Sequence, residues 1–208
     1  MTGQTPAIAR PQITPLPLKR EEESHTYVWL PTQTVLAYSV TKVCKPEPFK
    51  GNPAASIRGT RVHLCLEHKL LGLPQPDWQD YGEFIQPLLE HSFWNRFDVW
   101  AAEGLVCDLQ RSIGGGFDAL GYDRKRGTVV LLDLKSKGSR GTYDVKPQLG
   151  AYSQMIAAHW GVYVDECRVM WAYPGEAQLG APTPAKSCEC AWADAWDQFK
   201  FTRRSFGA

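Results

Sequence analysis

Net charge is what this chain of 208 residues has least of: 23 Lys and Arg stand against 22 Asp and Glu, a formal +1. No overall basic field announces a nucleic-acid partner, so any attraction for one has to be local. Long apolar runs are missing as well. None approaches the ~20 residues of a membrane span, and no membrane partner is expected. The chain opens without a signal-peptide pattern, and its cysteines (44, 65, 107, 167, 188 and 190) are spread through a sequence large enough not to need staples. An intracellular, cytoplasmic protein with reduced thiols is expected. The triple glycine at 114–116 lacks the Lys-Ser/Thr of a nucleotide-binding P-loop, and no clear helix pattern follows it. Those glycines are read instead as room for a bulge or a close approach.

What is present is material for a core. Apolar residues make up 43% of the chain, with eight Trp, enough for one domain. Residues 1–25, holding Pro11, Pro15, Pro17 and the charge cluster KREEE, read as a flexible leader, and 26–208 as a single domain. PTQTVLAYSV, 31–40, reads as a short helix opened by Pro31 or Thr32. Val62, Leu66 and Leu70 recur four apart before Gly72, which predicts a helix over 55–72. Residues 77–94 predict another, kinked at Pro87. FDVWAAEGLVCDL, 97–109, reads as a strand with Glu103, Leu105 and Cys107 on one face. SIGGGFDALGY and VVLLDLK, joined by DRKRGT, have the form of a hairpin. A helix over 147–161, bounded by Pro147 and Gly161, a strand over 167–173 and a helix over 190–200 complete the chain. The fold class is α/β, a small mixed sheet flanked by helices.

The chemistry gathers at the end of the second hairpin arm. Asp133 and Lys135 lie two apart on a strand and so share a face, about 6.5 Å apart along the backbone. Leu134 faces the other way and stays in the core. If the hairpin is symmetric about the midpoint between Lys125 and Arg126, Asp118 lies opposite Asp133, with Cα atoms about 4.5–5.5 Å apart. Two carboxylates that close repel, and a divalent cation relieves the repulsion. Oxygen ligands favour Mg²⁺, with Mn²⁺ able to substitute. Lys135 beside them is a cation able to orient a water and offset charge on a phosphate under attack, and Glu103 is a candidate third carboxylate. Together these groups describe metal-assisted phosphodiester hydrolysis.

The order acid, turn, acid–apolar–Lys resembles the PD-(D/E)XK nuclease superfamily, and more narrowly its RecB- and Cas4-like exonuclease branch, over roughly residues 32–160. GGFDAL is similar to the Gly-x-x-Asp motif of that branch and LLDLKSK to its core motif. The resemblance implies a restriction-endonuclease-like core, with Asp118 and Asp133 as metal ligands, the carbonyl of Leu134 as a further ligand, and Lys135 as catalytic base or water-orienting cation. RGTRVHLCLEH resembles the first motif, which implies His63 as a metal ligand or close neighbour of the metal. QLGAY resembles the Gln-x-x-x-Tyr motif, which implies that Gln148 and Tyr152 hold the DNA strand or the lysine. Glu103 stands where such nucleases often carry an extra acid. Cys188 and Cys190 lack the Cys-x-x-Cys spacing that the iron–sulfur members use, so no cluster is expected.

Local basic residues fit a phosphate-bearing partner: Arg58 and Arg61 ahead of His63, and Lys137, Arg140 and Lys146 after the strand. Lys146 adds free amides at the start of a helix. No base-reading element is evident. The expectation is therefore a Mg²⁺-dependent DNA exonuclease acting on linear DNA with free ends, in recombination, repair or phage genome metabolism, in the host cytoplasm if phage-encoded. A homo-oligomer or a recombination-protein partner is left open. So are two alternatives: a non-catalytic DNA-binding or assembly module of the same fold, and a sequence-specific endonuclease.

Overall fold

The computed structural model describes residues 9–21, 24, 26–45 and 52–206. It is an α/β protein in which helices cover both faces of a mixed seven-stranded sheet. In chain order the elements are β1 (Leu18–Glu21), β2 (Thr26–Trp29), β3 (Thr34–Val35), β4 (Tyr38–Ser39), α1 (Val40–Cys44) and α2 (Pro53–Leu71). α3 (Gly82–Leu89), β5 (Phe97–Asp108), β6 (Ile113–Asp123), β7 (Thr128–Ser136) and α4 (Lys146–Trp160) follow. β8 (Glu166–Tyr173), β9 (Glu176–Leu179), β10 (Thr183–Pro184) and α5 (Ala185–Phe206) end the chain. Among the described residues no helix is long and apolar enough to cross a membrane.

The hairpin of β6 and β7 is the centre of the sheet. It is antiparallel, running from Asp123 opposite Thr128 to Ala119 opposite Leu132. That is the register the turn symmetry predicts, and Asp118 and Asp133 occupy the next positions, just past the last pair. β5 pairs antiparallel with β6, β4 runs parallel to β6, and β8 runs parallel to β7. Period-two alternation sorts β7 between two cores. Leu131 packs on the side of α1, α4 and α5, while Leu132 and Leu134 pack on the side of α2 and α3. All three leucines are fully buried, each worth roughly 1.5–3 kcal/mol by transfer.

The helices read from the sequence over 55–72 and 147–161 are α2 and α4, closed by Gly72 and Gly161 in left-handed conformation. Their glycine ends are the reason they stop there. The helix read over 77–94 is broken instead. Residues Gln79–Tyr81 and Ser92–Arg96 are 3₁₀ turns around a short α3. Pro87 has no N–H for the carbonyl of Glu83, which takes the amide of Gly175 at 2.8 Å. Residues 31–40 are not a helix but a turn, β3 and β4, with α1 starting only at Val40.

The flexible-leader reading is corrected where the structure describes it. β1 pairs with β2, and Leu18 is buried against Tyr27, Leu36 and Cys107 in a third, smaller cluster. Residues 1–8, 22, 23 and 25 lie outside the described residues. The triple glycine serves close approach rather than a bulge. β5 and β6 keep an unshifted ladder through 114–116, and a Cβ on Gly115 would stand 2.5 Å from the Tyr152 ring. Gly150 does the same for α4 and α5, since a Cβ there would meet the Cys188 carbonyl oxygen at 2.0 Å.

Candidate active site

The site forms where the β6–β7 ladder gives out. Past Ala119 and Leu132 the strands no longer pair. The amide of Leu134 donates to Asp118 Oδ2 across the gap instead. This bond fixes the Asp118 side chain in the fork, with access to both faces of the sheet. On one face α2 delivers His63, whose Nδ1 lies 3.1 Å from Asp118 Oδ1 and 3.4 Å from Glu103 Oε1. On the other face, Lys135 Nζ sits 2.6 Å from Asp133 Oδ2, and Gln148 Nε2 donates to Asp133 Oδ1 at 3.1 Å. The same Gln148 amide donates to the Tyr152 hydroxyl at 3.2 Å.

Glu103 reaches this site through a strained backbone. Its φ is +47°, in the left-handed region that a residue with a Cβ rarely adopts. Leu105 and Cys107, two and four residues on, pack into the third cluster with β1 and β2. Strain of this sort costs on the order of 1–3 kcal/mol and persists where surrounding structure over-determines it.

The electrostatics push the acids apart. Burial would raise Asp118, but His63, Lys135 and the Leu134 amide outweigh it and hold the carboxyl below its usual range. Burial raises Asp133, with Asp118 adding and Lys135 opposing. Burial likewise raises Glu103, with His63 opposing and Asp118 adding. Burial would lower His63, yet Asp118 and then Glu103 push it up to about 10. Lys135 follows the same pattern: burial works against its charge, but Asp133 and Asp118 raise it well above an ordinary lysine. Groups of one type tuned in opposite directions are the pattern expected at functional sites.

His63, Glu103 and Asp118 present ligand atoms all within 4.8 Å of one another, a group able to hold a metal ion. Asp133 stands beside this trio rather than in it, engaged by Lys135 and Gln148. Its Oδ2 is buried and has the Lys135 ammonium, at 2.6 Å, as its partner. Three carboxylates and one imidazole nitrogen suit a hard divalent cation. Leu134 enters through its amide.

The outer residues divide. Lys146 opens α4, but its amide is taken by Asp144 Oδ1 at 2.9 Å and its ammonium lies 3.8 Å from Asp144 Oδ2, so the free helix-start amide expected there is capped. Arg61 is exposed, two residues and hence more than half a helical turn from His63. Lys137 donates to the carbonyl of Gly141 and lies near the rings of Tyr143 and Trp171. Arg58 clasps the end of β7 through the hydroxyl and carbonyl of Ser136.

No protein-family model matches the chain, and no curated protein matches it in sequence. Among solved structures it is similar to the crystal structure of SSO0001, with 13% identity over 65% of this chain and 72% of that one. The TM-score is 0.31, too slight a likeness to decide fold or activity.

Two neighbours of the site were not legible in the sequence, Tyr143 and Trp171. Trp171 lies opposite Lys135 in the parallel β7–β8 ladder. Nothing in local spacing shows a parallel register between strands separated by a helix. Tyr143 carries no motif and sits in the connection to α4.

Proposed function

We propose that this chain is a divalent-metal-dependent deoxyribonuclease of the PD-(D/E)XK kind, hydrolysing phosphodiester bonds from the ends of linear DNA. Recombination, repair or phage genome metabolism in the cytoplasm would be its setting. The observation that carries the reading is the fork itself: His63, Glu103 and Asp118 converge within 4.8 Å, with the Asp133–Lys135 pair at 2.6 Å beside them.

His63, Glu103 and Asp118 would hold the cation, Mg²⁺ or Mn²⁺, with Asp133 at its border. When bound, the ion supplies Lewis-acid stabilisation of charge on the phosphate under attack. The chain's own groups do the remainder. Lys135, held as an ammonium by its acidic neighbours, orients the attacking water and offsets negative charge on the phosphorus centre. Gln148 keeps Asp133 in place through one oxygen, and Tyr152 keeps Gln148. The Leu134 amide does the same for Asp118, so that neither aspartate has to reorganise when substrate arrives.

The test is digestion of end-labelled DNA, single- and double-stranded, linear and closed circular, with Mg²⁺, Mn²⁺ or EDTA. The parent should release short products only with metal, and Asp133→Ala and Lys135→Ala should each lose at least about 100-fold. A parent that binds DNA but cuts none would be the non-catalytic module. Equal cutting of circles and linear DNA would make it an endonuclease.

A further inference from the structure

Beside the fork lies an aromatic group that the hydrolytic chemistry does not use. Tyr143 is 39% exposed, whereas Trp171 and Tyr173 next to it are only 4% and 3% exposed. The Tyr143 ring meets Trp171 at 5.4 Å and 85°, an edge-to-face contact, and Trp171 stacks nearly parallel with Tyr173 at 6.4 Å. Trp171 shares its ladder position and its face of the sheet with Lys135. Tyr143 and Trp171 also line an open cavity of about 360 Å³ that includes Lys146 and Arg168.

Two ammoniums attend the exposed ring. Lys45 Nζ lies 4.3 Å from its centroid and Lys137 Nζ 5.5 Å, the latter also 6.0 Å from the Trp171 ring. An exposed ring with ammoniums beside it combines the two parts that hold a single strand, a π-face for a base and positive charge for its phosphate. Asp144 lines the same cavity and is drawn to Lys146. Burial raises the Tyr143 phenol, Lys135 opposes, and Asp133 and Asp118 add, so the ring lies within electrostatic reach of the site.

We propose that Tyr143, braced by Trp171 and flanked by Lys45 and Lys137, is a stacking seat for one nucleobase of the strand being cut. The inference rests on the nuclease reading and assigns it a residue that grips the nucleotide beside the scissile phosphate. A base on this seat is unstacked from its neighbours, so grip is independent of base identity, every base having a π-face.

The experiment follows cleavage in Mg²⁺ of end-labelled single strands in which one abasic nucleotide is moved along the chain. Parent, Tyr143→Phe and Tyr143→Ala are compared, each checked for an unchanged thermal melt. In the parent, one abasic position beside the cut should slow cleavage about tenfold. Tyr143→Ala should be slowed about tenfold on intact strands and show no further loss at that position, while Tyr143→Phe should match the parent. An abasic scan of the parent with no sensitive position, or an alanine variant that keeps the parent's rate, overturns the seat while leaving the nuclease reading intact. If the parent cuts no DNA with any metal, the nuclease reading fails instead. Binding of the same strands, read by fluorescence anisotropy, then judges the seat alone: loss of affinity at one abasic position and in Tyr143→Ala keeps it, and equal binding overturns it.

Discussion

The two ends of the β6–β7 hairpin each bury an aspartate, and they use it differently. At the turn, Asp123 is fully buried; its Oδ1 takes the amides of Lys125 and Arg126 at 3.0 and 3.3 Å and faces Arg96 at 3.2 Å. Close by, Arg126 grips Glu166 through its Nε and a terminal nitrogen. At the fork, Asp133 is almost as buried, but it shares its surroundings with Asp118 and Glu103 and is joined by Lys135 and His63. Asp123 Oδ2 has no hydrogen-bond partner among the described residues and Asp133 Oδ2 meets only the Lys135 ammonium, so hydrogen-bond satisfaction alone does not separate the ends. The balance of charge does. Acids at the turn meet guanidinium groups and backbone amides, whereas acids at the fork crowd one another in a group able to hold a further cation.

This contrast can be broken most sharply by removing one acid from each end. Asp133→Asn should lose at least about 100-fold in metal-dependent DNA cleavage with an unchanged circular dichroism spectrum. Asp123→Ala should leave cleavage per folded molecule unchanged but lose roughly 2–3 kcal/mol of stability in urea, because Arg96 keeps a partly buried charge without its partner. If both variants lose only activity, or both only stability, the division between the ends is wrong.

A smaller effect separates the ends by their appetite for cations. Mg²⁺ or Mn²⁺ at ten times its dissociation constant should stabilise the parent by about 1.4 kcal/mol in thermal melts. The gain should vanish in Asp118→Asn and persist in Asp123→Asn. The smallest effect concerns the surface. Arg140, 79% exposed, pairs with Glu176, and Arg140→Ala should change stability by less than about 0.5 kcal/mol in urea. A loss comparable with that of Asp123→Ala would mean that burial is not what distinguishes these ion pairs.

Much of this was legible in the residues, for local reasons. DRKRGT closes a hairpin whose symmetry sets Asp118 against Asp133, and the ladder keeps that register. Gly72 and Gly161 end their helices where a left-handed residue is needed. Other features depend on contacts across the chain. β1 is held by pairing with β2 and by Cys107, far along in sequence, so residues 18–21 looked like part of a leader. Within α3, the Glu83 carbonyl that Pro87 leaves free is served by Gly175, a partner far along the chain. Glu103 was a candidate by position, but its left-handed backbone and its contact with His63 belong to the packed fold.

By itself the sequence determined the register of the central hairpin, the face that Asp133 shares with Lys135, and the ends of α2 and α4, because turn chemistry, the two-residue period and glycine caps act between neighbours in the chain. Only the tertiary structure decided that His63 and Glu103 would close on Asp118, that Asp133 would lean on Gln148, and that Tyr143 would rest on Trp171 beside them. Those meetings are made by strands and helices distant in sequence, where packing rather than spacing selects the partners.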